Sequence, residues 1–65
     1  MNVSILRISE VITKTGLSRS GIYKLIRLGL FPKQIKLGSR ACGWVEQEVN
    51  DWINSKVSER NEAFS

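Results

Sequence analysis

The first apolar positions of the chain predict a short anchor followed by a short helix. Ser9 is placed to cap that helix, and Glu10 in its first turn suits the positive end of the helix dipole. Val11 and Ile12 are expected to face inward, and Gly16 can take the left-handed conformation that ends a helix. The apolar anchor consists of Ile5, Leu6 and Ile8.

A second helix is predicted from about Arg19 to Leu28, directly after a short turn. Ser18 can serve as its N-cap, and Gly29 can end it. Apolar and polar residues separate on a helical wheel, so one face is expected to pack on a core and the other to remain available. The apolar residues expected in the core are Ile22, Leu25, Ile26 and Leu28. The polar face carries Ser20, Tyr23, Lys24 and Arg27.

After Pro32 the apolar period changes to two, which predicts a β-hairpin over residues 33–45. A Gly-Ser pair after Leu37 indicates the turn, with Arg40 at or beside the tip. We expect a loop of two or four residues, because an even loop places the apolar residues of both strands on one face. Those residues are Ile35, Leu37, Cys42 and Trp44. An odd loop would instead place Ala41 and Gly43 beside the apolar residues of the first strand, which would make a poorer core.

The last apolar stretch predicts a third helix that starts at Glu46 or Gln47 and ends near Lys56. Acidic residues at its start and a lysine at its end agree with the helix dipole. We assign residues 1–57 to a single domain and residues 58–65 to a polar tail that we expect to fray. The apolar stripe of this helix is Val49, Trp52, Ile53 and Val57.

Charged residues are segregated along the 65-residue chain, whose net charge is +4. Residues 14–40 hold seven basic residues and no acidic residue, whereas residues 41–65 hold five acidic and two basic residues. A segregated basic block creates a directed field and indicates a polyanionic partner, although a charge run taken alone fits a solvated basic face equally well. The basic block consists of Lys14, Arg19, Lys24, Arg27, Lys33, Lys36 and Arg40.

The composition argues against several classes of protein. With no histidine and with Cys42 as the single cysteine, we expect no internal disulfide, no metal site and no cofactor. No apolar run approaches the ~20 residues that cross a bilayer, and the start of the chain lacks the pattern of a signal peptide, so we expect a cytoplasmic protein without membrane contact. Residues 16–21 match the start of a phosphate-binding loop, but Ile22 and Tyr23 follow where lysine and serine or threonine are required. We therefore expect no enzymatic activity.

The order of the elements predicts a mostly α fold with a small β-hairpin. A helix-turn-helix is followed by a two-stranded wing and a C-terminal helix, which together make a winged helix-turn-helix. We expect such a domain to bind DNA, because one α-helix fits the major groove, which is ~12 Å wide.

The stretch ISEVITKTGLSRSGIYKLIRLGLFPKQIKLGSRACGWVEQEVNDWI resembles the AlpA family of small phage and prophage regulators. The resemblance covers roughly residues 5–54 and rests on three motifs: GLSRS-x-IY in the second helix, G-x-F-P-x-x-x-K-L-G before the wing, and the closing pattern R-x-x-x-W-x-x-x-E-V-x-x-W. It implies a MerR/excisionase-like winged helix-turn-helix and sequence-specific DNA binding. The sequence departs from the family at Gly21, where threonine is more common, at Gln34, which replaces a common proline, and at Gly43 before Trp44. These departures bear on the target sequence more than on the fold.

We expect DNA contacts from ten residues: the N-cap Ser18, five residues on helix two, residues 19–28, and four on the wing, residues 33–45. Helix two would enter the major groove, and the wing would reach the flanking backbone. For Tyr23 the alternative to a DNA contact is partial packing against the domain. We expect Trp44 and Trp52 to lie in the core rather than to stack on bases. The ten candidate DNA-binding residues are Ser18, Arg19, Ser20, Tyr23, Lys24, Arg27, Lys33, Lys36, Ser39 and Arg40.

The leading hypothesis is a sequence-specific transcriptional regulator of prophage or mobile-element genes. Two alternatives are open: an excisionase that binds and bends DNA with an integrase, and a protein-interaction module that docks on an acidic partner through its basic face. Double-stranded DNA is the expected partner. A homodimer or a cooperative assembly on DNA is left open, as is a contact with an integrase or with RNA polymerase.

Overall fold

The chain folds into three helices and three strands across residues 4–64, the residues that this computed structural model describes, with side-chain burial given for residues 4–60. The strands form one antiparallel sheet in the order β1-β3-β2. This is the mostly α, winged helix-turn-helix architecture that the sequence predicts. Residues 1–3 and 65, which belong to the predicted domain and tail, lie outside the described residues. The elements are β1 (Ile5–Leu6), α1 (Ile8–Thr15), α2 (Arg19–Arg27), β2 (Ile35–Lys36), β3 (Cys42–Val45) and α3 (Glu46–Phe64).

The N-terminus of α1 is capped by Arg7 rather than by Ser9, so the predicted cap is wrong. The Arg7 backbone is extended, and its N–H donates to a carboxylate oxygen of Glu10 at 3.0 Å. Ser9 lies inside the first turn, where its carbonyl accepts the Thr13 hydroxyl at 3.0 Å. Because Glu10 reaches back to the chain before the helix, α1 can begin ahead of Ser9.

The turn between α1 and α2 has the boundaries that the sequence predicts. Gly16 has a φ of +73° and donates its N–H to the Ile12 carbonyl at 2.8 Å, which closes α1. The Ser18 hydroxyl accepts the Gly21 N–H at 3.1 Å and caps α2. Gly29, with a φ of +74°, follows the end of α2 and turns the chain toward the wing.

The core is small and draws on nearly every element. Ile22 anchors α2 in it, with Leu25 and Ile26 half-buried beside it, as predicted. Leu28 is 60% exposed, so its predicted place in the core is wrong. The helix ends one residue earlier, and Phe31, beyond the turn, is buried instead. The buried hydrophobic residues among those described are Leu6, Val11, Ile22, Phe31, Trp44 and Val49.

The apolar anchor at the start of the chain includes a third strand that the sequence analysis did not identify. Ile5 pairs with Val45 and Leu6 pairs with Trp44, so β1 lies along the second strand of the wing. A two-residue strand is too short to show a period of two, which explains why the pattern alone did not reveal it.

The wing has an odd loop, so the predicted even loop is wrong. Ile35 pairs with Gly43, and the Leu37 N–H donates to the Ala41 carbonyl at 2.8 Å, which leaves residues 38–40 as the tip. Ile35 and Leu37 therefore lie on the face of Gly43, where they are 38% and 47% exposed. Arg40 is in the tip, as expected.

The position of Trp44 explains this register. Trp44 faces the core and is 0% exposed, so Gly43 must face the opposite side of the sheet. A Cβ on Gly43 would lie 2.5 Å from the Ile5 Cγ2 and 2.9 Å from the Leu6 carbonyl oxygen. Glycine at this position therefore lets β1 approach β3 closely.

Helix α3 begins at Glu46, as predicted, but it extends to Phe64, so its predicted end near Lys56 is wrong. Val49 is buried, whereas Val57 is 42% exposed, because the helix has passed the edge of the core by that point. The predicted end near Lys56 was the end of the apolar stripe, which is not the end of the helix. Residues 58–64 contain no glycine or proline that would stop it. Fraying of this segment stays a prediction.

Candidate nucleic-acid interface

The exposed side of α2 is backed by a firmly packed side. Ile22 is 0% exposed, and it holds the helix against α1 and the sheet. On the other side, Ser20, Lys24 and Arg27 are all exposed, and their spacing of four and three residues places them in one stripe. Arg19, also exposed, occupies the first position of the helix. The helix therefore presents a polar stripe and an N-terminal cation on a rigid support.

All seven basic side chains of residues 14–40 are exposed to solvent. Within the described part of the chain, none of them makes a hydrogen bond or an ion pair. The ion pair that the structure shows there, Lys56 to Glu59 at 3.3 Å, is on α3 and outside this block. Positive charge that no described acidic group neutralises remains available to an anionic ligand.

Tyr23 differs from the other residues of the polar face. Its ring packs against Trp44, with ring centroids 6.2 Å apart and planes at 57°, and its side chain is half-buried. The helical wheel places Tyr23 beside the exposed residues, but the Trp44 ring covers part of its side chain. Partial packing, the alternative considered for this residue, is therefore observed, and its contact with DNA stays a prediction.

The wing presents the second group of candidate residues. Lys33 precedes β2, Lys36 pairs with Cys42 across the sheet, and Ser39 and Arg40 lie in the tip. All four candidates are exposed. Residues 28–34, here called the connector, join α2 to β2; Lys33 lies in the connector, and the other three candidates lie on the hairpin.

The two tryptophans both donate hydrogen bonds to the connector. The Trp52 Nε1–H donates to the Leu30 carbonyl at 2.7 Å, and the Trp44 Nε1–H donates to the Pro32 carbonyl at 3.1 Å. Trp44 is buried, as predicted, and Trp52 is half-buried. Apolar spacing indicated burial of these rings, but it carries no information about the partner of an indole N–H, so sequence analysis missed both contacts.

Arg7 is a further residue that sequence analysis did not connect with the wing. Its guanidinium Nη1–H donates to the Cys42 carbonyl at 3.1 Å, across 35 positions of the chain. The contact ties the start of α1 to β3. No local sequence signal could have found it, because the two residues meet only when β1 pairs with β3.

Two shallow grooves lie on the surface of the described residues. One, of about 390 Å³, lies between α1 and the start of α3, and the other, of about 480 Å³, lies between the connector and α3. Among the described residues, no group of three or more histidine, cysteine, aspartate or glutamate side chains could hold a metal ion. No helix in the described part of the chain combines the length and apolar character that crossing a membrane requires.

Comparison with known proteins identifies one family. The sequence model of the family described as prophage CP4-57 regulatory protein (AlpA) matches residues 4–57. The uncharacterised protein ORF88 of Enterobacteria phage P4 is 42% identical over 59 residues, which cover 91% of this chain and 67% of that protein. The DNA-binding transcriptional activator AlpA of Escherichia coli K12 is 37% identical over 60 residues, which cover 83% of this chain and 86% of that protein. The matched region includes all of the candidate residues on α2 and the wing.

Proposed function

Because the chain belongs to the AlpA family of prophage regulatory proteins, we propose that it is a sequence-specific DNA-binding regulator of prophage or mobile-element genes. The observation that carries the proposal is the exposed basic side of α2, which has no acidic partner among the described residues. The name of the Escherichia coli relative, a DNA-binding transcriptional activator, supports DNA as the ligand. Such a regulator acts by binding DNA in the cytoplasm, and we assign no enzymatic activity to it.

In the proposed complex, α2 enters the major groove. Nine helical residues span ~14 Å, which is enough to cross the ~12 Å width of the groove. The stripe of Ser20, Lys24 and Arg27 would face base edges and phosphates, and Arg19 would act at the N-terminal end of the helix. Arginine can contact a guanine with two hydrogen bonds, so Arg19 and Arg27 are the proposed sequence-reading residues.

The wing would add contacts to the flanking DNA. Lys33, Lys36 and Arg40 are exposed cations on a hairpin that follows α2 in the chain, and Ser39 adds a hydroxyl donor at the tip. Phosphate contacts carry no sequence information but set the position of the protein on the duplex. We therefore assign mainly sequence-independent phosphate contacts to the wing and sequence specificity mainly to α2.

The proposal is tested by selection of bound duplexes from a random DNA library at several salt concentrations. A defined motif with steep salt dependence supports a sequence-reading regulator. A single α2 covers only a few base pairs, so we expect two copies on half-sites one helical turn, about 34 Å, apart, or a cooperative array. If binding is weak, shows no sequence motif and is lost at physiological salt, the proposal is contradicted and a protein-interaction module is favoured.

The same selection bears on the excisionase alternative. Several direct repeats of the motif, together with bending of the bound DNA measured by gel mobility of permuted fragments, would favour a recombination role with an integrase. A single site or an inverted pair without bending would favour a transcriptional regulator, for which RNA polymerase is the proposed protein partner.

Lys36→Ala is expected to weaken binding to every duplex by a similar factor, because we assign the Lys36 side chain to a phosphate. The slope of log affinity against log salt concentration should fall by ~1, with no change in base preference. Fluorescence anisotropy at four salt concentrations measures both quantities. Lys14→Ala is the matched control: it removes the same charge from an exposed lysine on α1 that is not among the ten candidate DNA-binding residues. An altered preference with an unchanged slope would contradict the assignment.

A further inference from the structure

We propose that Trp52, assisted by Trp44, is a positioning residue that holds the wing at a fixed angle to α2 through hydrogen bonds to the connector. The inference rests on the proposed function, in which α2 and the wing contact DNA at the same time. Neither tryptophan contacts DNA in this proposal. Each acts through the backbone of residues 28–34, which is the direct covalent link between the two DNA-binding elements.

The contact made by Trp52 is short and well supported by its surroundings. Its Nε1–H donates to the Leu30 carbonyl at 2.7 Å. The Phe31 ring meets the indole edge-on, with centroids 4.8 Å apart and planes at 64°. The Lys56 ammonium lies 5.5 Å from the indole centroid on the α3 side. The orientation of the indole is therefore restrained, and its N–H is directed at one carbonyl.

Trp44 makes the second contact from a different element. It lies on β3, within the wing, and is 0% exposed, and its Nε1–H donates to the Pro32 carbonyl at 3.1 Å. Between the two carbonyls, the Phe31 side chain is inserted into the core with 5% exposure. The connector is thus attached to α3 at Leu30, to the core at Phe31 and to the wing at Pro32.

The connector is also continuous with the end of α2. The Leu30 N–H donates to the Leu25 carbonyl at 2.9 Å, so the residue that Trp52 holds is itself bonded to the last turn of the helix. In contrast, β2 is only two residues long and both residues are exposed. The outer strand of the wing therefore has little packing of its own, and its direction depends on where the connector delivers the chain.

The test removes the Trp52 N–H and measures whether the wing still contributes to binding. Trp52→Phe removes the donor together with part of the ring. A second variant, made by chemical synthesis of the 65-residue chain, carries 3-benzothienylalanine at this position, in which sulfur replaces the N–H and the shape of the ring is kept. Thermal unfolding followed by circular dichroism checks that both variants fold. The variant with 3-benzothienylalanine, called the isosteric variant, decides the result if Trp52→Phe does not fold.

The readout is a double-mutant cycle on DNA affinity. We expect Arg40→Ala in the wing to weaken binding by roughly tenfold in the parent protein but by less than about threefold when the Trp52 N–H is absent. Arg19→Ala on α2 should weaken binding by the same factor in both backgrounds. If Trp52 only stabilised the fold, Arg40→Ala would cost an equal factor in both backgrounds, and that outcome would overturn the inference.

A measurement on the free protein separates failure of this inference from failure of the proposed function. Residual dipolar couplings of backbone amides in α2 and the wing should fit one alignment frame in the parent. In the isosteric variant, the wing couplings should fall by about a third or more while those of α2 stay unchanged. Unchanged wing couplings would overturn the inference even if the parent binds DNA. If the parent binds no duplex, the proposed function is overturned, but the dipolar couplings still test whether Trp52 positions the wing.

Discussion

A variant with both Arg19→Ala and Arg27→Ala is expected to bind its selected duplex at least about 100-fold more weakly than the parent. Both side chains are exposed on α2 without a partner among the described residues, and they lie eight positions apart, or ~12 Å along the helix. One bidentate contact between arginine and guanine is worth ~1–3 kcal/mol of discrimination, and ~1.4 kcal/mol corresponds to a factor of ten. The stability of the fold should hardly change, because neither side chain packs in the core.

The measurement is a comparison of affinity and base preference for the single and double variants. Lys14→Ala combined with Arg60→Ala is the matched control, because it lowers the net charge by the same amount from exposed positions on α1 and α3. We expect the control to keep its base preference and most of its affinity. If the arginine variant loses affinity equally for all sequences, and its salt slope falls by ~1.8, the two arginines contact phosphates and do not read bases.

Gly43→Ala is expected to lower the free energy of unfolding by about 3 kcal/mol. The added Cβ would lie 2.5 Å from the Ile5 Cγ2 and 2.9 Å from the Leu6 carbonyl oxygen, and backbone cannot move aside without displacing β1. Because Leu6 is part of the small core, displacement of β1 also costs buried apolar contact. For a domain of this size, 3 kcal/mol is a large share of a total stability of roughly 3–10 kcal/mol.

Urea unfolding followed by tryptophan fluorescence measures the effect, because Trp44 is adjacent to the substitution. Gly38→Ala is the matched control in the same hairpin: a Cβ there meets no atom within 4 Å, and the Gly38 φ is not positive. We expect that control to change stability by less than ~0.5 kcal/mol. Equal effects of the two substitutions would show that β1 does not lie against β3 in solution.

The sequence was most informative where the deciding interactions lie within a few residues. The Ser18 cap and the closing Gly16 are set by hydrogen bonds between residues at most four positions apart, and both predictions are confirmed. The core side of α2 follows from the helical spacing of Ile22, Leu25 and Ile26 and is confirmed for these three residues, whereas Leu28 at the end of the helix is exposed.

The cap of α1 shows where local reading is ambiguous. Both Arg7 and Ser9 precede Glu10 closely enough to start a helix. In the structure Arg7 is the N-cap, and its side chain also donates a hydrogen bond to the distant Cys42 carbonyl.

Predictions that depended on pairing between distant segments were less successful. The even loop followed from placing Ile35 and Leu37 in the same core as Trp44, but the sheet has an outer face that holds these two residues half-exposed. The end of α3 was placed where its apolar stripe ends, although a helix can continue without a core beneath it. The candidate DNA contacts other than Tyr23 are exposed, and their contacts with DNA stay predictions.

By itself, the sequence determined the order of the three helices and the wing, the two faces of α2 and the concentration of positive charge in residues 14–40. These follow from residue type and spacing, which act locally through capping, helical period and charge. Only the tertiary structure decided the register of the wing, the need for glycine at position 43 and the attachment of the connector by Trp44 and Trp52. Each of these depends on which segments meet when β1 closes onto β3 and the connector packs beneath α3, and no local pattern specifies those meetings.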